Sequence, residues 1–239
     1  MSTLPAAPRP THAAAASRFL HWQVQAWRWW RRAPLVLPAM AFLPILVELA
    51  VQLGIPHWGV PLSKLVTPMA GSIALIALHA RMQHGRLRLS RAVAQAWRLR
   101  GSVLAIALLM VATFGVQLLA CLAIAGPDSA LALLHGDGAH LRMSRAQLGL
   151  AMAAGVPVTT ALLFVTPLAL LRGHPFGRAL REGLAAALRH RRPVLILCAT
   201  LLVLLFAVVF MPLLLLAMLP YATAVSYAAY RDVCDGVHA

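Results

Sequence analysis

Glu48 is the only acid inside a long apolar run of this chain, and an ionisable group at membrane depth costs enough to mark either a working site or a dedicated partner. Gln52 follows one helical turn later on the same face. A hairpin turning near Pro56 places Lys64, the only lysine, opposite Glu48. A structural ion pair or a hydrogen-bonded carboxyl is therefore the simpler reading of Glu48, Gln52 and Lys64, with a functional carboxylate as its rival.

Other residues with chemical capacity form weaker patterns. H-G-D-G-A-H, His135 to His140, offers two imidazoles and a carboxylate to a transition metal, yet it lacks a fourth ligand and its glycines read as turn punctuation. His79 and His84 flank Arg81 and read as interfacial residues rather than a proton relay. Gln117, Thr159 and Thr160, with Pro38, Pro44, Pro157 and Pro167, are the raw material from which a transporter would build broken helices around a midplane site. No H-E-x-x-H, G-x-x-x-x-G-K or G-x-S-x-G occurs. No catalytic residue, metal ligand set or cofactor is expected, and the chain does not read as an enzyme.

The frame that positions these residues is a membrane bundle. Of 239 residues 61% are hydrophobic and 11% charged, against about a quarter charged in a soluble domain. The net charge of +15 would suit nucleic acid only if the arginines lined one solvated face. They sit instead at the ends of apolar spans, so no nucleic-acid partner is expected. Cys121 and Cys198 fall inside apolar runs and Cys234 in the tail, which predicts no disulfide.

One pattern occurs three times. A-W-R-W-W-R-R-A-P-L-V-L from Ala26 returns as A-W-R-L-R-G-S-V-L-A-I from Ala96 and as A-L-R-H-R-R-P-V-L-I-L from Ala187. Each copy is a short basic arm running into a long uncharged stretch, and an internal repeat sets architecture before residue-level detail. The expected fold is all-α: a polytopic membrane protein with six transmembrane helices as three hairpins, each preceded by a basic amphipathic interfacial helix. Residues 1–17 are expected to be a disordered cytoplasmic tail and 18–239 a single membrane domain. Its parts are arm 18–33, hairpin 35–80, arm 90–100, hairpin 102–171 (a span over 102–125, an outer loop over 126–146 and a span over 147–171), arm 176–190, hairpin 193–230 and tail 231–239.

In the first arm a helical wheel gathers Arg18, His21, Gln25, Arg28 and Arg32 within about 80° of arc, with Phe19, Trp22, Ala26, Trp29, Trp30 and Ala33 opposite. Pro34 argues for a break before the first span. Arg91, Gln95 and Arg98 likewise oppose Val93 and Trp97, and Arg178, Glu182 and Arg189 oppose Phe176, Leu180, Leu184 and Ala187. Trp22, Trp29, Trp30, Trp97, Tyr227 and Tyr230 are expected as interfacial anchors, with Arg231 and Asp232 paired at the last helix end.

Pro193 to Tyr230 carries no charge over 38 residues, about 57 Å as one helix and nearly twice a bilayer core. It must hold two spans, turning at Met211 and Pro212. All arginines but Arg142 and Arg145 then lie on one side, which places both termini in the cytoplasm.

At Y-A-A-Y-R-D-V, Tyr227 to Val233, the chain resembles an uncharacterised family of proteobacterial inner-membrane proteins. Its members share a Trp-rich basic start, six predicted spans and a closing Y-A-S-Y-R-D type motif. The likeness extends through A-W-R-W-W-R-R-A-P and the arginine-ended second span, and it implies fold and location without an activity. More remotely the layout resembles the membrane domain fused to some bacterial glycerophosphodiester phosphodiesterases, whose soluble catalytic domain has no counterpart here.

The arginines at the three junctions, Arg28, Arg31 and Arg32, then Arg98 and Arg100, then Arg189, Arg191 and Arg192, are expected to bind anionic phospholipid headgroups. The rival is that they only enforce topology during insertion. The functional expectation is a non-enzymatic scaffold that organises anionic lipid or docks a membrane-protein partner at the cytoplasmic face. A small-solute or lipid transporter is the alternative, and an intramembrane enzyme the third reading.

Overall fold

A computed structural model describes residues 12–55 and 57–235. Among them the chain is helical, with no strand. The helices are α1 (His12–Arg32), α2 (Val36–Gly54), α3 (Gly59–His84), α4 (Leu89–Arg98), α5 (Arg100–His135), α6 (Arg145–Ala153), α7 (Val156–Ala161), α8 (Val165–Leu170), α9 (Phe176–Arg189), α10 (Arg191–Phe210) and α11 (Leu215–Cys234). Five are long and apolar enough to cross a membrane: α2, α3, α5, α10, and α11 with the 3-10 turn that precedes it.

The arms end where sequence punctuation requires. Proline cannot donate to the preceding turn, and α1 stops at Arg32, with Ala33 to Leu35 in a turn around Pro34. In the other two copies no proline stands there, and the break falls earlier, at Leu99 (φ −96°, ψ 20°) and His190 (φ −105°, ψ 31°). Those two residues occupy equivalent positions of the repeat and share one backbone conformation. Between α10 and α11 the chain turns at Met211 and Pro212, where apolar length demanded it.

Three expectations are corrected. The tail expected over residues 1–17 gives way to helix from His12; residues 1–11, Pro56 and, within the tail expected over 231–239, residues 236–239 lie outside the described residues. The outer loop expected after Ala125 begins as helix, because α5 kinks at Gly126 (φ 82°, ψ 176°) and restarts on Pro127, whose missing N–H is harmless in a first helical turn. Its far end is fixed by a capping box in which Ser144 accepts from the Gln147 amide and the Gln147 side chain accepts from the Ser144 amide. The span expected over 147–171 is not one helix. It is cut into α6, α7 and α8 around Gly155, Pro157 and Pro167. Side chains add donors beside the breaks: Gln117 Nε2 donates to Met152 O at 2.9 Å, and Thr160 Oγ1 to Val156 O at 2.7 Å.

The long elements close a ring in chain order. α2 packs on α3, α3 on α5, α5 on α6, α6 on α10, and α11 on both α10 and α2. Each arm lies against the end of the helix that precedes it, α4 on α3 and α9 on α8, while α1 closes the cycle on α11 and α10. The buried core gathers at this arm end, where Val165, Leu168, Ala169 and Leu170 of α8 are enclosed.

Equivalent positions of the repeat are buried alike: Ala26, Ala96 and Ala187; Ala33, Val103 and Val194; and, four residues before the alanines, Trp22, Ala92 and Gly183. Small residues let two helix backbones approach. At Gly183 a Cβ would lie 2.7 Å from Val165 Cγ2 and 2.9 Å from Val165 N. Gly183→Ala is therefore expected to cost about 1–3 kcal/mol through overpacking, read as a lowered melting temperature in detergent. A melting temperature equal to the parent's would mean that α9 is not held against α8.

Candidate functional site

Glu48, Gln52 and Lys64 meet on facing sides of α2 and α3. Lys64 Nζ donates to Glu48 Oε1; Gln52 Nε2 donates to that same oxygen and to Ser63 Oγ, each at 3.1 Å, and Ser63 Oγ donates to Val60 O at 2.8 Å. Lys64 also stands 5.2 Å from the Phe114 ring centroid, close enough for a cation–π contact. These groups satisfy one another, which suits a structural junction better than a site awaiting a ligand.

The metal-like motif disperses. His140 Nδ1 lies 2.7 Å from Asp137 Oδ2, while His135 Nδ1 turns to His57 O at 3.1 Å. Among the described residues no three His, Cys, Asp or Glu side chains converge.

At the arm end α1 does more than lie on a surface. Trp22 is wholly buried, and its indole Nε1 donates to Asp232 Oδ2 at 3.0 Å; Arg18 Nε donates to the same oxygen at 2.7 Å. Arg18 Nη1 also lies 3.0 Å from His190 Nδ1. Burial first, and then the Arg18 guanidinium, holds the His190 imidazole below its ordinary range, which keeps it neutral and able to accept. Next along α1, Trp29 packs on Tyr227 at 4.7 Å between centroids, and the Tyr227 hydroxyl lies 2.8 Å from His79 Nδ1.

The anchoring roles expected of Trp22, Tyr227 and Tyr230 are thereby corrected: all three are buried in protein. An indole N–H needs a partner when it leaves water, and here a carboxylate of α11 supplies one. The pairing of Arg231 with Asp232 is corrected too. Adjacent helix residues diverge, so Arg231 Nε reaches Asp235 Oδ2 at 3.2 Å and leaves Asp232 to α1. Trp29 and Trp30 are half-buried against the core.

Trp97 keeps its expected exposure, at 70%, and is matched at equivalent positions by Trp27 at 59% and Leu188 at 72%. Trp27 was not among the expected anchors, although aligning A-W-R at 26–28 with A-W-R at 96–98 signals it. Each of these side chains precedes an exposed arginine, Arg28, Arg98 or Arg189. Arg31, Arg32, Arg100 and Arg191 are exposed as well, and Arg192 is half-buried. Within the third arm Glu182 accepts from Arg178 Nε at 2.7 Å and lies 3.0 Å from Nδ1 of His174, just before α9. The Arg178 hydrogen bond holds the Glu182 carboxyl below its ordinary range.

Where α1 meets α11 and the end of α3, a cavity of about 250 Å³ opens, walled by His21, Gln25, Arg28 and Arg32 on one side and by Tyr227 and Arg231 on the other. A second cavity of about 200 Å³ shares Trp29, Arg32 and Met82 with it and extends to Arg81. The polar face of the first arm, which the helical wheel directs toward water, thus becomes one wall of a protein pocket.

No protein-family model matches the chain, and no curated protein or solved structure is significantly similar to it.

Proposed function

We propose that the chain is a six-span inner-membrane protein that gathers anionic phospholipid at its cytoplasmic face and works there as a non-enzymatic scaffold for partner proteins. The observation that carries this reading is the recurrence, at three equivalent positions, of an exposed large apolar side chain followed by an exposed arginine. Such a pair suits a headgroup boundary, the apolar group entering the bilayer and the guanidinium meeting phosphate.

The sixth crossing in this proposal is the broken segment α6 to α8. From Arg145 to Leu170 it spans 26 residues, about 39 Å if fully helical, which leaves room for two breaks within a ~30 Å core. Membership in the six-span family that the tail resembles belongs to the same proposal. The transporter reading is less well supported. Gln117, Thr159 and Thr160, which it would place around a polar cavity, make hydrogen bonds to backbone carbonyls of the broken segment.

Orientation is tested with single cysteines in a background lacking Cys121, Cys198 and Cys234, at two glycines where an added Cβ meets open space. Gly138→Cys is expected to react with an impermeant thiol reagent on intact spheroplasts, and Gly177→Cys only after lysis. The reverse pattern would overturn the topology.

The lipid role is tested by replacing Arg28, Arg31, Arg32, Arg98, Arg100, Arg189, Arg191 and Arg192 together by lysine. Lysine preserves the positive-inside signal but not the bidentate fork. Normal insertion with reduced retention of phosphatidylglycerol or cardiolipin is expected in detergent-free discs. Unchanged retention would leave the arginines a topological role only.

A further inference from the structure

We propose that the cavity between α1, α3 and α11 is a binding site for one phosphate-ester headgroup, held by Arg28 and Arg32 and unlike the surface of the other two junctions. The proposal rests on the cytoplasmic orientation given above, which opens the cavity toward the headgroup layer and the cytosol.

Three observations set this junction apart. First, His21, Gln25, Arg28 and Arg32 follow at four-, three- and four-residue steps, so one helix face directs two guanidinium groups, an amide and an imidazole into the same space. In the repeat alignment the Arg28 and Arg32 pair becomes Arg98 with Ser102 and Arg189 with Pro193. Only the first arm carries two arginines one turn apart at these positions.

Second, the charge of the pocket is not cancelled within it. Asp232 also lines it, but its Oδ2 already accepts from Arg18 and Trp22. Arg231 is paired with Asp235. Arg28 and Arg32 make no ion pair among the described residues. Two uncompensated guanidinium groups facing one cavity are a dianion's or a phosphodiester's complement, and each can grip phosphate oxygens with a bidentate fork.

Third, size and lining limit the ligand. About 250 Å³ falls below the roughly 300–1,000 Å³ of pockets that enclose whole drug-sized molecules. It admits a headgroup and leaves acyl chains outside. Trp29, Met82 and Tyr227 form the apolar wall against which a glycerol backbone can lie. Because α1 and α11 both line the cavity, an anion seated there also bridges the two elements that close the ring.

The same chemistry is offered by phosphatidylglycerol in the bilayer and by glycerol 3-phosphate in the cytosol. The full chain in phosphatidylcholine discs is loaded with labelled phosphatidylglycerol, and separately titrated with glycerol 3-phosphate. Four forms are compared: the parent, R28Q/R32Q, R28K/R32K, which keeps the charge needed for insertion, and R98Q/R189Q as the control at the other junctions.

Affinity for the phosphate ester is expected to fall about 25-fold in R28Q/R32Q, from two arginines at about a factor of five each. It should fall measurably in R28K/R32K and less than about threefold in R98Q/R189Q. Equal losses in R28Q/R32Q and R98Q/R189Q would overturn the pocket while leaving the general lipid reading intact. Binding of glycerol 3-phosphate that depends on Arg28 and Arg32, with no retention of phosphatidylglycerol by the parent, would keep the pocket and overturn the lipid reading. If neither ligand binds in a way that depends on Arg28 and Arg32, the pocket is wrong.

Discussion

Replacing Trp22 by alanine is expected to destabilise the protein by about 3–5 kcal/mol, the range for deleting a fully enclosed aromatic side chain. Trp22 is wholly buried between α1 and α11, and its indole N–H is one of two donors to the buried Asp232 carboxylate. Alanine removes both the volume and the donor. Trp22→Phe separates these contributions, because it keeps most of the volume and leaves Asp232 with Arg18 alone. Its cost should be nearer the ~1–3 kcal/mol of a buried polar group that has lost one partner. The readouts are melting in detergent and the rate of tryptic cleavage at Arg28 and Arg31, which should rise as α1 leaves α11. A Trp22→Ala protein that melts with the parent and is cleaved no faster would show that α1 does not close the ring.

The repeated arm was legible because its signal is local. A-W-R followed by an uncharged run fixes an amphipathic helix, a break and a long apolar helix from residue order alone, and Pro34, Met211 and Pro212 punctuate as backbone chemistry requires. The segment from Arg145 to Leu170 was harder to read. Its length and apolar composition are those of one span, but Pro157 and Pro167 remove two backbone donors, and the Gln117 side chain that bonds Met152 O beside the first break comes from α5. The helical segment after Gly126 was missed for a related reason. Gly-Pro reads as a loop signal, yet proline is well suited to start a helix when the residue before it carries the bend.

In the candidate site, residue types were legible and their partners were not. The helical wheel separates Arg18, His21, Gln25, Arg28 and Arg32 from Trp22, Ala26 and Trp29 correctly, because α1 is helical throughout. It does not say what covers either face. An amphipathic helix meets a bilayer surface or another helix with the same periodicity, and a carboxylate at Asp232, 214 residues away from Arg18, decides between them here. Trp22 became a core residue for that reason. Trp97, with only alanines of α4 buried beneath it, stayed outside. Glu48 and Lys64 were easier, because both flank one short turn and their separation in sequence sets their separation in space.

That pair yields the second large effect. Lys64→Met alone is expected to cost about 3–5 kcal/mol, because it leaves the Glu48 carboxylate between α2 and α3 with Gln52 as its remaining donor. Glu48→Met alone should be comparably damaging, since it strands the Lys64 ammonium beside Phe114. The double replacement by methionine removes both charges while keeping side-chain length, and its stability should return to within about 1 kcal/mol of the parent, as when buried ion pairs are exchanged for apolar groups. Gln52 and Ser63 retain each other in every variant, so the cycle isolates the charged pair. A functional carboxylate would behave differently: Glu48→Gln would then impair the protein's cellular role without lowering its melting temperature. Purely additive losses across the cycle would remove the ion pair from the account, and a double variant as unstable as the sum of the singles is the result to look for.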